Sequence, residues 1–485
     1  MNIFDFLFEN SSSLEKDLIL GPSESKSFKS ISEESAKLAN YLRNKLGQEN
    51  KILLIAQNST FFIVSYLGIL KSGNICVPLN PDIEKESFEF IQKKTNSRIG
   101  FLSEVVKNKL QPDLECISDI NISEIINYER EILALEPEFD GERIAEIIFT
   151  SGSTAIPKGV MLSHNNIIAN TGSIVEYLGL SDTDIMMVVL PFFYCYGLSL
   201  LHTHIRVGGS LVLNNNFIFL ASTINNLNKY YCTGFAGVPS HFQIILRKTD
   251  QFKNTKFPTL RYVTQAGGKL HNAFISEFLD AFPEIQFFVM YGQTEATARL
   301  SYLPPPMLKN KLGSLGKGIP EVELKVVDEL GNFIFPGQTG EILAKGKNVM
   351  LGYFEDPKST ADTIKDGWLY TGDLATIDED GYIYITARKK EIIKVGGKRV
   401  SPKEIEEVIV TMSGVIDCNV EAIYDELLGE AIKVTVVVNE NGGRITSDDV
   451  KQFCGKRLSS YKIPTYVIFK NSLELSSSGK KVKLI

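Results

Sequence analysis

The stretch IIFTSGSTAIPKGVMLSHNN (147–166) decides how the rest of the chain is read. An apolar run, 147–149, leads into Thr150, Ser151, Gly152, Ser153 and Thr154. Pro157, Lys158 and Gly159 follow, and a helix is expected to start near His164. A strand running into a hydroxyl- and glycine-rich loop and then a helix is an α/β arrangement. Such a loop can grip phosphate oxygens with its hydroxyls and free N–H groups, and a lysine adds a point charge. It is not a Walker loop, because Pro157 precedes the lysine and Gly159 follows it, which breaks G-x-x-x-x-G-K-[ST]. A glycine-serine loop on its own is more often a plain surface turn. The strand before it and the lysine within it favour the phosphate reading.

Working outward, helical and strand patterns alternate. Residues 30–47 (SISEESAKLANYLRNKLG) place Ile31, Leu38, Leu42 and Leu46 near helical spacing and end on Gly47. Residues 51–56 (KILLIA) read as a buried strand and 60–73 as an apolar helix. This succession predicts layered α/β sheets, largely parallel. From about 312 the texture shifts to short alternating strands with glycine and proline turns, which predicts a small β-rich unit over about 312–386. A second shift lies at TARKKE (386–391). Beyond it, SPKEIEEVIV predicts a helix with Ser401 as N-cap, Pro402 in the first turn and Glu404 completing a capping box. Strands at 419–424, 432–438 and 465–470 and a helix at about 447–458 complete a separate α+β unit.

The 485 residues suffice for several domain-sized units, and 44% hydrophobic with 22% charged residues is ordinary globular composition. A net charge of −7 gives no nucleic-acid footprint. The six cysteines form no C-x-x-C pair, which argues against a disulfide scaffold and a zinc site. MNIFDFLFENSSS carries Asp5 and Glu9 where a secretory signal carries lysines. The most apolar stretch, 186–201, contains Pro191 and Gly197 and is too short to span a bilayer. The expectation is a cytoplasmic protein without a transmembrane segment.

The chain resembles the adenylate-forming enzymes, which include acyl-CoA synthetases, adenylation domains of peptide synthetases and beetle luciferase. Their phosphate loop reads T-S-G-[ST]-T-G-x-P-K-G. Thr150, Ser151, Gly152, Ser153, Thr154, Pro157, Lys158 and Gly159 match it, with Ala155 in place of a glycine. LRYVTQAGGKL (260–270), with Gly267, Gly268 and Lys269, is similar to the segment lying along adenine. YGQTEA (291–296) resembles the Y-G-x-T-E signature. By that match Tyr291 covers the adenine face beside Gly292 and Gln293, Thr294 touches the α-phosphate, and Glu295 helps to hold Mg²⁺. YTGD (370–373) implies that Asp373 takes the ribose hydroxyls, with Ile385 also near the nucleotide. ARKKEIIKVGGKRV (387–400) resembles the hinge-and-docking segment. Arg388 then contacts ribose or phosphate, Lys390 is the hinge, and Lys394, Gly396 and Gly397 form the thiol-facing loop. Ala387 replaces a common glycine there, which implies a slightly stiffer hinge. Near the end, Ser476, Ser478, Gly479 and Lys480 match a [ST]-x-[SN]-G-K block. Taken alone, that tail is the kind of end that is usually solvated ballast.

The resemblance implies a large N-terminal domain, 1–386, of layered α/β sheets plus a small β-barrel, a hinge at 387–391, a mobile α+β unit over 392–485, and a two-step reaction. A carboxylate attacks the α-phosphorus of ATP to give an acyl-adenylate and pyrophosphate, and a thiol then displaces AMP. Lys480 is the charge expected where the carboxylate meets the α-phosphate, with Thr294 and Glu295 as the other catalytic groups. PFFYCYGL (191–198) falls at the acyl site, with Tyr194 beside the acid and Gly237, Val238 and Pro239 in the wall. Cys195 stands where amino-acid-activating members place an aspartate, so an α-amino acid would bury an unpaired ammonium, which is costly. A fatty, aryl or other simple carboxylic acid is expected. The chain carries no carrier domain, so the thiol is CoA or the phosphopantetheine of a separate carrier protein, with CoA favoured. The alternatives are a stand-alone adenylation enzyme that loads such a carrier, a nucleotide-binding scaffold without catalysis, and a luciferase-like oxidase.

Overall fold

The computed structural model describes residues 1–21, 24–150, 157–217, 219–425, 429–439 and 445–474. Ser151, Gly152, Ser153, Thr154 and Lys480 therefore lie outside the described residues.

Two large mixed sheets form the body. One has seven strands, in which Lys51–Ile55, Ile75–Pro78, Ile99–Leu102, Glu115–Ile117 and Ile144–Thr150 run parallel. The other has nine, with Ile185–Val188, Ser210–Leu213, Gly234–Gly237, Tyr262–Gln265 and Gln286–Tyr291 in its parallel centre. The main core joins the two sheets through the helices Thr60–Lys71, His164–Leu178 and Cys195–Val207. Burial on every side explains why Thr60–Lys71 is apolar all round, with only its first residue not buried. Its one charge, Lys71, is matched by Asp5 at 2.6 Å. The helix Phe28–Leu46 starts two residues earlier than its pattern suggests, because Ser27 takes the cap and accepts from the Ser30 N–H. It stops at Gly47, whose φ of 78° suits glycine.

The sequence pattern assigns no element to 160–163, between the loop and the helix expected near His164. In the structure Lys158–Ser163 is a strand antiparallel to Ile144–Thr150, with Thr150 opposite Lys158. The helix begins at His164, held by a reciprocal cap between Ser163 and Asn166. Short apolar runs such as VML do not separate strand from helix by periodicity.

A five-stranded antiparallel sheet follows, a half-barrel rather than a closed one, built from Val322–Val327, Gly340–Gly346, Ile364–Lys365, Trp368–Ile377 and Ile383–Arg388. A 3₁₀ turn, Lys389–Glu391, leads from it to Ile393–Val395, the first strand of a fourth sheet. That sheet, with the helices Pro402–Ile409 and Ser447–Gly455, makes the C-terminal α+β unit. Ser401 is the N-cap residue, but its side chain makes no cap bond. Its hydroxyl donates to the Thr386 carbonyl at 2.5 Å, so the expected capping box is replaced by a tether to the last half-barrel strand.

The C-terminal unit rests on the nine-strand side of the body. Ile405, Ile409 and Val415 share a core with Phe242, Leu246 and Phe274. Arg247 donates to the carbonyls of Val410 and Val415, and Gln243 to Asp417. Among the described residues no helix is long and apolar enough to cross a membrane. All six cysteines are free thiols.

Candidate active site

Lys158 sits at the start of its strand, opposite the end of the parallel strand that enters the serine-glycine loop. Its Nζ lies 2.6 Å from Ser359 Oγ, 3.9 Å from Asp356 and 4.9 Å above the Tyr353 ring. The Tyr353 hydroxyl donates to Glu295 Oε1 at 2.8 Å. One ring therefore links the lysine to the carboxylate expected on Mg²⁺. Burial, with Glu295 beside it, holds the Tyr353 phenol well above its ordinary pKa, so it remains a donor. Thr294, buried, opens the 3₁₀ turn Thr294–Ala296, with Gln293 as the preceding extended residue.

A second cluster stands at the junction with the half-barrel. Asp373 and Arg388 face each other across two paired strands. The arginine Nε donates to Asp373 Oδ1 at 2.9 Å, and the Tyr291 hydroxyl donates to Oδ2 at 2.7 Å. Asp373 raises the arginine's pKa, and burial raises the Tyr291 phenol well above its ordinary value. A carboxylate held this way keeps lone pairs for two further O–H donors. Ile385 lies on the same strand as Arg388, paired with Ala375.

The backbone between these clusters is tightly constrained. A Cβ on Gly292 would lie 1.9 Å from the Ala298 carbonyl oxygen, so only glycine fits. Thr297 has φ 64°, costly for a β-branched residue, and its hydroxyl is pinned on the Asn348 carbonyl at 2.7 Å. Gly267 turns the chain with φ 85°, and Gln265 donates to the Gly268 carbonyl. Lys269 reaches Glu407 of the C-terminal unit at 3.3 Å, which ties this loop to the small unit.

On the acyl side, Tyr194 caps the helix Cys195–Val207. Burial, with the Cys195 thiol next to it, raises the Tyr194 phenol far above its usual range. Cys195 Sγ is 3.6 Å from Thr294 Oγ1, so the residue expected in the acyl wall touches the residue expected on the α-phosphate. Gly237 ends a central strand, Val238 follows with its N–H on His241 Nδ1 at 3.4 Å, and Pro239 starts the next helix. Pro239 also lies against Gly268, where a Cβ would be 3.4 Å from the proline ring.

Lys390 lies in the turn Lys389–Glu391. Gly396 and Gly397, with φ 53° and 81°, form the tight turn between the strands Ile393–Val395 and Lys398–Val400. Positive φ at both central residues is the primed hairpin geometry, which explains the glycine pair. Lys394 donates its N–H to Glu430. This hairpin tip is exposed.

Sequence reasoning gave no role to Tyr353, Ser359 or Arg299. Tyr353, in NVMLGYF, carries no signature of its own. Arg299, in ATARLSYL, is marked only by its burial, which no pattern shows.

The profile described as "AMP-binding enzyme" matches residues 10–354, and "AMP-binding enzyme C-terminal domain" matches 404–480. A long-chain-fatty-acid–CoA ligase of Salmonella typhimurium is 29% identical, over 93% of this chain and 88% of that protein. An oxalate–CoA ligase of Arabidopsis thaliana is also 29% identical, over 88% of this chain and 86% of its own. The solved o-succinylbenzoate CoA synthetase of Bacillus subtilis, complexed with its acyl-adenylate intermediate, superposes with a TM-score of 0.86 at 23% identity. That match covers 99% of this chain and 96% of that one.

Proposed function

The chain belongs to the AMP-binding enzyme family and is an AMP-forming acid–CoA ligase, and on that premise we propose how its own residues carry the reaction. What carries the assignment is the family match over 10–354 and 404–480, and what supports the residue roles is the cluster in which Tyr291 and Arg388 both bond to Asp373.

Adenylation brings a carboxylate up to a polyphosphate carrying about four negative charges. Two unit charges 4 Å apart repel by about 4 kcal/mol at an effective dielectric near 20. Cations aimed at the reacting oxygens are therefore the main requirement. Lys158 meets the β- and γ-phosphates, with Tyr353 fixing its height and Ser359 its direction. Thr150, Ser151, Gly152, Ser153 and Thr154 complete that cradle. Asp373 accepts the ribose hydroxyls while Arg388 and Tyr291 hold its carboxylate in place. Tyr291, Gly267, Gly268 and Gly292 shape the adenine slot. Thr294 takes the α-phosphate, and Lys480 supplies the charge where acid and phosphorus meet.

Mg²⁺ fits Glu295. This hard oxygen ligand stands beside the phosphate residues, and among the described residues no cluster of three or more His, Cys, Asp or Glu offers a full protein cage. Mg²⁺ is usually held by one or two carboxylates plus phosphate oxygens. When bound, it neutralises charge on the polyphosphate.

For the second step the small unit, 392–485, turns about Lys390, so that Lys480 leaves and the loop of Lys394, Gly396 and Gly397 faces the incoming thiol. CoA is the acceptor, and the phosphopantetheine of a separate carrier protein is the competing one.

The test is pyrophosphate release and hydroxamate trapping across a panel of carboxylic acids, with and without CoA. Acid-dependent pyrophosphate release, with acyl-CoA formed only when CoA is present, is the expected outcome. ATP binding without turnover on any acid would contradict the enzyme reading. Acyl-adenylate that transfers to a carrier protein and never to CoA would replace CoA as acceptor.

A further inference from the structure

Arg299 is the most deeply buried arginine with a charge left over. It is 2% exposed. Its guanidinium carbon lies 3.9 Å over the Tyr196 ring, its Nε donates to Met290 Sδ at 3.3 Å, and its Nη1 to the Ala298 carbonyl at 3.3 Å. No carboxylate among the described residues pairs with it. Arg43, Arg206, Arg247, Arg261 and Arg388 are all more exposed, and each reaches one. A guanidinium keeps its charge inside a protein. Its remaining partner is the Tyr177 phenol, and a ring, a thioether, a phenol and one carbonyl supply no opposite charge, so much of its desolvation cost is uncompensated.

The position is built rather than incidental. The Arg299 carbonyl accepts from Asn170 at 3.1 Å and from Asn348 at 2.8 Å, both buried. The strained Thr297 turn delivers the residue four positions after Glu295. Arg299 packs on Tyr196, which follows Tyr194 and Cys195 on the helix Cys195–Val207, and this contact places it on the acyl side of the site.

The same region limits length. The Tyr196 hydroxyl is fixed on Thr264, at 2.8 Å from Oγ1. Tyr262 is fully buried, and Gly234 leaves room for its ring, since a Cβ there would lie 2.6 Å from the hydroxyl. Tyr177 stacks on Tyr302 at 4.3 Å and donates to Met290 Sδ, the atom that also accepts from Arg299. An alkyl tail running between the nine-stranded sheet and the helix Cys195–Val207 would meet these rings and then a buried cation.

We infer that Arg299 receives a second acidic group of the substrate, so that the acid activated is a short dicarboxylate. One carboxylate meets the α-phosphate beside Thr294, and the other pairs with the guanidinium past Cys195 and Tyr196. This rests on the adenylation reading of the site and names its substrate class. A site built to pair with a polar group rejects the analogue that lacks it, because its own group is then left unpaired.

The test measures kcat/KM for acid-dependent ATP–pyrophosphate exchange on length-matched pairs: succinate with butyrate, glutarate with valerate, phthalate with benzoate, and octanoate as a longer tail. The wild-type enzyme is expected to favour the diacid of at least one pair by at least about a hundredfold. In Arg299→Met that diacid-to-monoacid ratio falls by at least about a hundredfold, carried mainly by KM, and Arg299→Lys recovers part of it. Thermal midpoints of the variants are read alongside, and the wild-type panel decides alone if Arg299→Met does not fold. Octanoate or the monoacids matching or exceeding every diacid would overturn the inference and leave the adenylation reading standing. Exchange with no acid of either kind would overturn the adenylation reading itself.

Discussion

The two ends of the site treat charge in opposite ways. At the end we assign to the nucleotide the described charges have partners: Asp373 holds Arg388 and Tyr291, and Lys158 stands over Tyr353 beside Asp356. At the end we assign to the acid, the buried cation Arg299 has an aromatic ring and a thioether, and no carboxylate among the described residues, as partners. Internal partners position groups before a common substrate arrives. An uncompensated charge, in contrast, is a demand on the substrate, and that is where selectivity among acids originates.

The strongest way to break this contrast is at the charge shared by both ends. Lys480→Ala is expected to cut adenylation by about two to three orders of magnitude, in line with losing one transition-state charge contact. Thioester formation from preformed acyl-adenylate should survive, and equal loss in both half-reactions would refute the alternation of the small unit. Asp373→Ala would make the ribose end resemble the acyl end by leaving Arg388 unpaired. Its kcat/KM for ATP should fall by about a hundredfold, with the preference among acids unchanged.

Acidity separates the body from the site. His164, His202, His204 and His241 are buried, and burial lowers their pKa values to about 3, 3, 4 and 4. The unfolded chain binds these protons near pH 6.5 while the folded chain refuses them. Stability is therefore present above pH 6.5 and lost as pH falls toward 4, by about 1.4 kcal/mol per pH unit for each histidine. Glu146 works the other way. Burial raises it to about 7, so its contribution is present at low pH and lost as pH rises from about 4.5 through 7. Chemical denaturation across pH 4–8 should show the histidine slope dominating, and Glu146→Gln should steepen the net dependence.

Smaller effects sharpen the geometry. Gly292→Ala forces a Cβ against the Ala298 carbonyl and should cost about 1–3 kcal/mol in a denaturation midpoint, with both substrates bound less tightly. Tyr353→Phe keeps the ring under Lys158 and loses the bond to Glu295. A drop in adenylation of a few-fold, near the ~1 kcal/mol worth of one hydrogen bond, is the expected result.

The residues expected to face the nucleotide stand out in the sequence for a physical reason, and the structure brings Tyr291, Asp373 and Arg388 into contact. Phosphate and ribose are met by backbone N–H groups, glycine turns and single carboxylates, and these requirements leave short strings such as YGQTEA and YTGD. The acyl end is formed by side chains distant in sequence. Nothing in ATARLSYL announces that Arg299 will pack on Tyr196, and nothing in SPKEIEE announces that Ser401 will bond to Thr386 instead of capping its own helix. The strand Lys158–Ser163 leaves no mark in the sequence because its apolar run is too short to show a period.

The central claim, that a carboxylate oxygen attacks the α-phosphorus of ATP, is tested most directly by the fate of that oxygen. The enzyme is turned over with CoA and a carboxylic acid labelled with ¹⁸O in both oxygens. The mass of the released AMP is then measured. One ¹⁸O atom in AMP, with unlabelled pyrophosphate, is the predicted result, because cleavage of the acyl-adenylate by the thiol leaves the bridging oxygen on phosphorus. Label in inorganic phosphate with ADP as the product, or AMP without label, would contradict the account.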